Sequence, residues 1–422
     1  MGAVTRRSPF SSQPQGTRRH RPDYWLLILA ALLLAIGLVV VYAISPALIV
    51  EKNVDGSFYV TRQLIAVGLG LVVFGVTAAI PMDRWKKTHT LLLAAAVLVT
   101  LVALVQPTNP DYPAHRWIRL GAFSFQSVEL VKFALLIWVA ALLSRTLGQG
   151  ALKDDLATFK PLLICLGAVA VVVAFVQSDF GSTAVIAAMM TAMVFVAGMP
   201  MKRLLLVGGI VVLVGVLAIS AVPYRRERIT AFLSQSNTTQ CSSLKSGYQA
   251  CRALIAVGSG GMIGLGLGNS VQAFGYLPEA ENDSIFAIYA EKFGFVGVAI
   301  LLGLLLAFFS RIKRIMELAP DEFTRLLATG VFAWLAAQTL INVGAMLGLL
   351  PLKGITLPFI SYGGTSVLFV MAAAGLLFNI SRYTLFSVPR QSDVSNGRTG
   401  YEGSSDRRRV RGAYHPGAGS RA

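Results

Sequence analysis

Three carboxylates lie close together immediately before a long apolar run. They are Glu279, Glu281 and Asp283, and the apolar residues begin at Ile285. Carboxylates at the mouth of an apolar segment can cap a helix, hold a divalent cation or take a proton from a hydroxyl nucleophile. The residues of this stretch do not distinguish the three roles, so the structural elements around them must be considered.

Other charged residues also lie within or beside apolar segments. Glu129 and Lys132 are spaced i, i+3, which suits either an internal ion pair or the binding of a substrate. Asp179 interrupts an apolar stretch and can act as a turn residue, as an N-cap or as a ligand. Arg116 precedes Trp117, a pair that suits a sugar or headgroup as well as an ordinary interfacial belt.

The composition indicates the class of protein that must position these residues. The 422 residues are 55% hydrophobic and 14% charged, with a mean hydropathy of +0.67, which is typical of a polytopic helical membrane protein. The net charge is +17, but the basic residues gather in tails and short loops beside the apolar segments. This distribution carries information on topology, and it argues against a nucleic-acid partner.

The apolar runs predict an all-α fold of about ten transmembrane helices. The predicted spans are 24–44, 64–80, 91–105, 130–143, 162–176, 183–197, 204–222, 285–309, 326–350 and 367–378. Loops rich in Lys and Arg alternate along the chain in the way that places both termini in the cytoplasm. We therefore expect basic disordered tails at 1–23 and 387–422, and a membrane domain at 24–386 with a large external loop at 223–284 between helices 7 and 8.

The predicted external loop contains several features of its own. Arg225 and Arg228 lie on the side where basic residues are unexpected, so they either anchor to headgroups or bind an anionic group such as a diphosphate. Cys241 and Cys251 can form a disulfide under oxidising conditions. The glycine-rich stretch 256–270 suits a backbone that approaches a ligand or re-enters the membrane domain, and it lacks the features of a nucleotide-binding loop.

Taken together, short motifs along the chain resemble the SEDS (shape, elongation, division and sporulation) family, FtsW/RodA/SpoVE. The motifs are Arg116-Trp-Ile118, Gln126 to Glu129 with Lys132, Gln177-Ser-Asp-Phe-Gly181, Gly258-Ser-Gly-Gly261, Gly268-Asn-Ser270, Tyr276-Leu-Pro-Glu279 with Asp283, and Leu357-Pro-Phe-Ile-Ser-Tyr-Gly-Gly364. They occur in order between about residues 24 and 383. Tyr-Leu-Pro-Glu-Ala and Asn379-Ile-Ser-Arg382 are more similar to the cell-division branch of the family than to the elongation branch.

The resemblance implies a bacterial inner-membrane peptidoglycan glycosyltransferase that polymerises lipid II during septal cell-wall synthesis. It implies a class B penicillin-binding protein as the transpeptidase partner, along with other membrane proteins of the division machinery. It also implies a divalent cation, Mg²⁺ or Mn²⁺, for which the sequence defines no set of ligands.

Within the resemblance, Asp283 matches the aspartate of the family and is the expected general base. The residues expected to bind substrate are Arg116, Glu129, Lys132, Asp179, Arg225, Arg228, Gln249, Glu279 and Ser361. Where the family usually has His-Thr-Asp-Phe this chain has Glu281-Asn-Asp-Ser284, so an imidazole beside the base is missing. A lipid II flippase, a scaffold that only recruits the transpeptidase and an elongation enzyme are the alternatives that the sequence leaves open.

Overall fold

The chain is described here from a computed structural model, which covers residues 16–19, 21–52, 57–106, 115–120, 123–150, 152, 158–206, 208–209, 245–351 and 354–386. Its helices are α1 (Tyr24–Lys52), α2 (Phe58–Ala79), α3 (Met82–Val105), α4 (Ser127–Gly148), α5 (Lys160–Val169, continued by a π-helical stretch Ala170–Val176), α6 (Phe180–Val196), α7 (Lys245–Ser259), α8 (Ile285–Glu317), α9 (Glu322–Met346) and α10 (Gly364–Ile380). Four short strands accompany them: β1 (Gly16–Arg19), β2 (Trp117–Leu120), β3 (Phe123–Gln126) and β4 (Tyr383–Phe386).

Six of the described helices are long and apolar enough to cross a membrane, namely α1, α2, α3, α4, α8 and α9. The α5 segment, α6 and α10 are shorter apolar helices. The predicted helical, multi-pass membrane fold is therefore confirmed. Nine of the ten predicted spans fall on these helices, whereas 204–222 lies almost wholly outside the described residues, so the number of ten helices stays a prediction.

The helices differ in how much of their surface faces the rest of the protein. The apolar windows of α4 and α9 are 78% and 67% buried, whereas that of α3 is only 17% buried. Lipid cannot form hydrogen bonds with polar side chains, so polar residues are costly on a helix that faces lipid. Polar residues in α4 and α9 avoid this cost because the two helices lie at the centre of the bundle. The two central helices carry several of the buried polar groups considered below, among them Glu129, Lys132, Gln338 and Asn342.

Helices α2 and α10 pack closely because a glycine lies at their contact. A Cβ atom at Gly375 would collide with the hydroxyl of Thr77 and lie 2.6 Å from the carbonyl oxygen of Phe74. Small residues allow helix backbones to approach in this way within a membrane, where packing rather than the hydrophobic effect holds helices together. This contact fixes α10, which begins directly after the polar 354–363 loop of the candidate site.

Two local features depart from a plain bundle of continuous helices. The residues before α4, which are predicted to be external, form an antiparallel hairpin, in which β2 pairs with β3 from Trp117 opposite Gln126 to Leu120 opposite Phe123. Helix α8, expected as one continuous span, is interrupted at Gly294, where φ is 64° and ψ is −165°. The break allows the glycine-rich segment before α8 to form backbone hydrogen bonds with α8.

At one end of the bundle, basic residues at the helix ends contact neighbouring segments. Arg311 of α8 donates to the Asp23 carboxylate with its Nε at 2.9 Å, and the Asp23 backbone N–H donates to Ser381 Oγ at 3.0 Å. Lys86 of α3 lies 5.9 Å from the centre of the Phe323 ring at the start of α9. This is the end predicted to face the cytoplasm. The candidate site lies at the opposite end.

Residues Thr17–Leu385 form one compact unit, close to the domain predicted at 24–386. Strand β1 lies within the predicted N-terminal tail. The remainder of that tail before it, and the tail at 387–422, lie outside the described residues. Their expected disorder stays a prediction.

Candidate active site

Asp283 lies at the end of the long segment before α8 and is half-buried. The N-cap position of α8 is occupied by Ser284 and not by Asp283. Asn342 of α9 donates its side-chain amide to the carbonyl oxygens of Asp283 and Ile355, at 2.7 Å in each case. The Oδ1 atom of Asp283 is buried, but the residue as a whole is partly accessible and its backbone is fixed, which fits a general base better than a helix cap.

The 354–363 loop fixes the residues on the N-terminal side of Asp283. The Ser361 hydroxyl donates to the carbonyl of Asn282 at 2.7 Å, and the Tyr362 backbone N–H donates to the carbonyl of Glu281 at 2.9 Å. Ser361 was predicted to bind substrate, but it is buried and also accepts the Leu357 backbone N–H at 2.7 Å. The described contacts of Ser361 therefore hold two loops together.

Tyr362 borders the site on the side of α2. Its ring lies edge-on to that of Tyr59, with centroids 5.3 Å apart. Burial raises the pKa of Tyr362, and the nearby Arg62 guanidinium opposes this rise. The phenol therefore remains protonated, and able to donate a hydrogen bond, at neutral pH.

Glu279, Glu281 and Asp283, the three carboxylates that precede α8, have different environments. Glu279 is exposed, has a positive φ of 52° and accepts the Asn282 side-chain amide at 2.5 Å, whereas Glu281 is buried. Among the described residues, no group of three or more acidic, histidine or cysteine side chains is arranged to hold a metal ion. These residues do not fit a divalent cation held by protein ligands alone, so no step below depends on one.

Glu129 and Lys132 form a buried ion pair on α4, with 2.8 Å between Lys132 Nζ and Glu129 Oε1. Lys132 Nζ also lies 3.4 Å from Gln338 Oε1 and 5.1 Å from the centre of the Trp334 ring. Trp334 Nε1 donates to the same amide oxygen of Gln338 at 2.8 Å. The internal pair expected from the i, i+3 spacing is present, and substrate binding by these two residues stays a prediction.

Helix α9 contacts both this ion pair and the segment 276–284 before α8, called here the Asp283 segment. Gln338 and Asn342 are four residues apart, so they lie about one helical turn from each other on one face. Gln338 Nε2 donates to the carbonyl and the hydroxyl of Thr356 at 2.9 and 3.0 Å, and Thr356 Oγ1 lies 2.9 Å from Ser366 Oγ. Sequence reasoning missed Gln338. The signal was present as amide side chains at i and i+4 inside an apolar span.

Arg116 and Asp179, both predicted to bind substrate, have partners within the protein. Arg116 donates from Nε to the carbonyl of Gln177 at 2.7 Å and from Nη2 to that of Ser178 at 2.6 Å. Asp179 is the N-cap of α6 and accepts the backbone N–H and the hydroxyl of Ser182, both at 2.9 Å. Their described contacts shape the loop between α5 and α6, and a role in binding substrate stays a prediction.

The remaining predicted site residues fall into two groups. Gln249 of α7 donates its amide to Ser284 Oγ at 3.0 Å and lies 3.5 Å from the carbonyl of Pro278, so it contacts the Asp283 segment. Arg225, Arg228 and Cys241 lie outside the described residues. The disulfide between Cys241 and Cys251 accordingly stays a prediction.

Glu291 and Lys292, two charged residues in the first part of α8, hold the glycine-rich segment and do not form a salt bridge with each other. Glu291 is fully buried and accepts the Ser270 hydroxyl at 2.5 Å and the Val271 and Gln272 backbone N–H groups at 2.9 and 3.1 Å. Lys292 Nζ donates to the carbonyl of Leu267 at 2.6 Å. These contacts explain two charges that the apolar sequence around them would otherwise make costly.

The fold and the site define a multi-pass membrane protein with a fixed acidic residue and a buried ion pair at one end of its helices. The family model described as "Cell cycle protein", which covers FtsW, RodA and SpoVE, matches residues 24–385. This chain therefore belongs to the FtsW/RodA/SpoVE family, as the motifs predicted. Among its relatives, a probable peptidoglycan glycosyltransferase FtsW of Saccharophagus degradans is 38% identical over 380 residues, which are 89% of this chain and 95% of that protein.

Further relatives and solved structures agree with this assignment. Stage V sporulation protein E of Bacillus subtilis is 36% identical over 376 residues, 88% of this chain and 100% of that protein. A chain from a peptidoglycan synthase complex that coordinates polymerization and crosslinking superposes with a TM-score of 0.70 at 26% identity, covering 86% of this chain and 98% of that one. The rod shape determining protein RodA of Thermus thermophilus superposes with a TM-score of 0.62 at 26% identity, covering 86% and 97%.

Proposed function

We propose that this protein is an inverting peptidoglycan glycosyltransferase that polymerises lipid II and releases undecaprenyl diphosphate. The observation that carries the proposal is the half-buried Asp283, whose backbone Asn342 fixes at the end of the bundle that also holds the Lys132–Glu129 pair. The names of its relatives, which include several probable peptidoglycan glycosyltransferases, support the same reaction.

In the proposed reaction, the 4-hydroxyl of a terminal N-acetylglucosamine attacks the anomeric carbon of a second lipid-linked saccharide. A new glycosidic bond forms on the face opposite the departing diphosphate, so the configuration inverts. The hydroxyl proton passes to the Asp283 carboxylate, and the electron pair of the broken bond leaves on the diphosphate. General-base catalysis of this kind typically contributes about 10²- to 10⁴-fold to the rate.

Positive charge near the diphosphate would stabilise its departure. Lys132 is buried and paired with Glu129, so it stabilises the diphosphate through its electrostatic field and by fixing the position of α4. The negative charge of Glu129 weakens that field. The predicted external arginines Arg225 and Arg228 supply further charge in this proposal. The buried network around Gln338 lies one turn of α9 from Asn342, which contacts the Asp283 backbone, so it would limit the access of water on that side of the base.

We also propose the cellular setting. A class B penicillin-binding protein crosslinks the strands that this chain makes, and the similarity to a chain of a peptidoglycan synthase complex supports such a partner. The relatives named FtsW support a place in the bacterial cytoplasmic membrane at the division septum, with other membrane proteins of the division machinery. The elongation role is the alternative within the family.

Fluorescent lipid II incubated with the purified protein in detergent tests the proposal. The wild type is expected to produce long glycan strands, and Asp283→Ala and Asp283→Asn are expected to lose at least about 100-fold in rate. Glu317→Gln is the matched control, because that exposed carboxylate at the other end of α8 pairs only loosely with Lys313, at 3.8 Å. Each protein is assayed with and without the transpeptidase, and with Mg²⁺, Mn²⁺ or a chelator.

The same variants separate the alternative functions. A flippase would move labelled lipid II across vesicles and form no polymer under any of these conditions. A scaffold would leave glycan synthesis at the wild-type rate in a folded Asp283→Ala protein. Polymer made by the wild type and lost in both Asp283 variants excludes both alternatives.

A further inference from the structure

Arg252 of α7 lies between two aromatic rings near the candidate site. Its guanidinium carbon is 5.0 Å from the centre of the Tyr248 ring, one turn earlier on the same helix. It is 5.1 Å from the centre of the Tyr276 ring, which belongs to the segment leading to Asp283. Two rings at these distances attract the guanidinium and restrict its position more than one ring would.

The hydrogen-bonding groups of Arg252 are not satisfied by the described residues. Its Nε is buried and has no hydrogen-bond partner, and no carboxylate of the described part of the chain lies within ion-pairing distance of it. A guanidinium carries five N–H donors in its plane, whereas aromatic rings can cover only its faces. The in-plane donors of Arg252 are therefore available to a planar, doubly bonding anion.

The position of Arg252 on α7 relates it to the proposed base. Gln249 lies three residues earlier, so both side chains project from the same face of the helix, about 4.5 Å apart along its axis. Gln249 donates to Ser284 Oγ, and Ser284 directly follows Asp283. The helix face that carries Arg252 thus borders the segment that carries the base.

We propose that Arg252 binds the diphosphate of a lipid-linked substrate, with two parallel N–H groups donating to two phosphate oxygens. This arrangement is the one in which arginine surpasses lysine, because the fork matches the spacing of phosphate oxygens. The identification of the ligand as an isoprenoid diphosphate rests on the proposed function. The same chemistry would also suit the phosphate of an anionic phospholipid, and the experiment separates the two sources.

Binding of farnesyl diphosphate is measured with the full chain in nanodiscs of neutral phosphatidylcholine. Arg252→Gln is expected to raise the dissociation constant about 10- to 100-fold, because the glutamine amide can replace one donor and one charged hydrogen bond is lost. Arg252→Lys keeps the charge and the aromatic contacts, so it is expected to lie between the wild type and Arg252→Gln. In the polymerisation assay, Arg252→Gln is expected to raise KM for lipid II more than it lowers kcat.

Arg382→Gln is the matched control, because Arg382 also stacks on an aromatic ring, with 5.2 Å to the centre of Phe378, but on the predicted cytoplasmic end of α10. Its affinity for farnesyl diphosphate is expected to match that of the wild type. Farnesyl monophosphate and vesicles containing phosphatidylglycerol form the other two arms. Arg252→Gln is expected to weaken the binding of these two ligands less than the binding of farnesyl diphosphate.

An unchanged dissociation constant in Arg252→Gln would overturn the proposal, as would an equal loss in Arg382→Gln or a loss confined to phosphatidylglycerol. The binding arm does not depend on turnover. If the wild type makes no polymer while Arg252→Gln still weakens diphosphate binding, only the proposed function fails. If the wild type makes polymer and the two proteins bind and polymerise alike, only the assignment of Arg252 fails.

Discussion

The side-chain amide of Asn342 lies 2.7 Å from the backbone carbonyl oxygen of Asp283, although the two residues are 59 positions apart in the chain. The same amide nitrogen donates to the carbonyl of Ile355, whereas Asn342 Oδ1 is buried without a hydrogen-bond partner in the described structure. Asn342 thus acts only as a donor, and one nitrogen positions both loops that frame the base.

Asn342→Leu is therefore expected to reduce polymerisation strongly. Leucine fills a similar volume but cannot donate, so both carbonyls lose their partner and the Asp283 segment is free to shift. A displacement of about 1 Å near a reacting group can cost about 100-fold in rate, and we expect a loss of 10- to 100-fold in kcat. Turnover of fluorescent lipid II measures it.

Thr339→Val provides the control for Asn342→Leu. Thr339 lies one turn earlier on α9, and its buried hydroxyl has no hydrogen-bond partner among the described residues. Removing that hydroxyl removes no contact, so wild-type activity and stability are expected. Wild-type turnover in Asn342→Leu would show that the base does not depend on this amide.

The second prediction concerns the buried pair on α4. Lys132→Met leaves the Glu129 carboxylate buried without its cation, which typically costs about 3–5 kcal/mol in the free energy of unfolding. Adding Glu129→Gln removes the uncompensated charge, so the double variant is expected to be more stable than Lys132→Met alone. Unfolding by SDS in mixed micelles of the wild type, Lys132→Met, Glu129→Gln and the double variant gives the four free energies of the cycle, and strictly additive effects would contradict a coupled pair.

The third prediction concerns the break in α8. At Gly294 the backbone has a φ of 64° and a ψ of −165°, a conformation open almost only to glycine, and a Cβ there would collide with the backbone nitrogen of Gly264. Gly294→Ala is expected to cost about 3 kcal/mol or more in the free energy of unfolding. The same SDS titration measures the loss.

Gly303→Ala on the same helix is the control for Gly294→Ala. An added Cβ at Gly303 meets nothing within 4 Å, and alanine favours a helix interior by up to about 1 kcal/mol over glycine. Unchanged or slightly higher stability is therefore expected. Equal stability of the two alanine variants would mean that α8 is continuous at Gly294.

The sequence was sufficient to predict the nine spans that fall on described helices, because a helix in lipid must be apolar over a length that hydropathy reveals. The run 91–105 ends with α3 but begins nine residues after that helix does, and the run 326–350 is displaced from α9 by four residues at each end. The break at Gly294 could not be predicted in this way. The break depends on backbone hydrogen bonds with the glycine-rich segment, and hydropathy contains no information on backbone dihedral angles.

The site was predicted less completely, because its charged groups are defined by distant partners. Local spacing correctly indicated the Glu129–Lys132 pair, since both residues lie on one helix face. By contrast, the contacts of Glu291 with Ser270 and of Arg116 with Gln177 span 21 and 61 positions. Such partners follow from how the segments pack together, and a single sequence gives no measure of that packing.

Arg116 provides the fourth prediction, since its sequence context and its contacts favour different roles. Both hydrogen bonds that its guanidinium makes with the described residues go to backbone carbonyls of the loop between α5 and α6, at 2.7 and 2.6 Å. Arg116→Gln would leave these carbonyls with weaker or no donors at a cost of about 1.5–3 kcal/mol. We therefore expect a lower free energy of unfolding and a change of less than about threefold in KM for lipid II.

Arg203→Gln is a suitable comparison for Arg116→Gln, because Arg203 lies near the opposite end of α6 and its guanidinium contacts the Phe159 ring at 5.5 Å. It is expected to leave KM unchanged, so it measures the general effect of losing one arginine. If Arg116→Gln instead kept wild-type stability and raised KM tenfold or more, its guanidinium would have to bind the substrate. In that case the two carbonyl contacts would hold Arg116 in place for the substrate, and the loop would not depend on them.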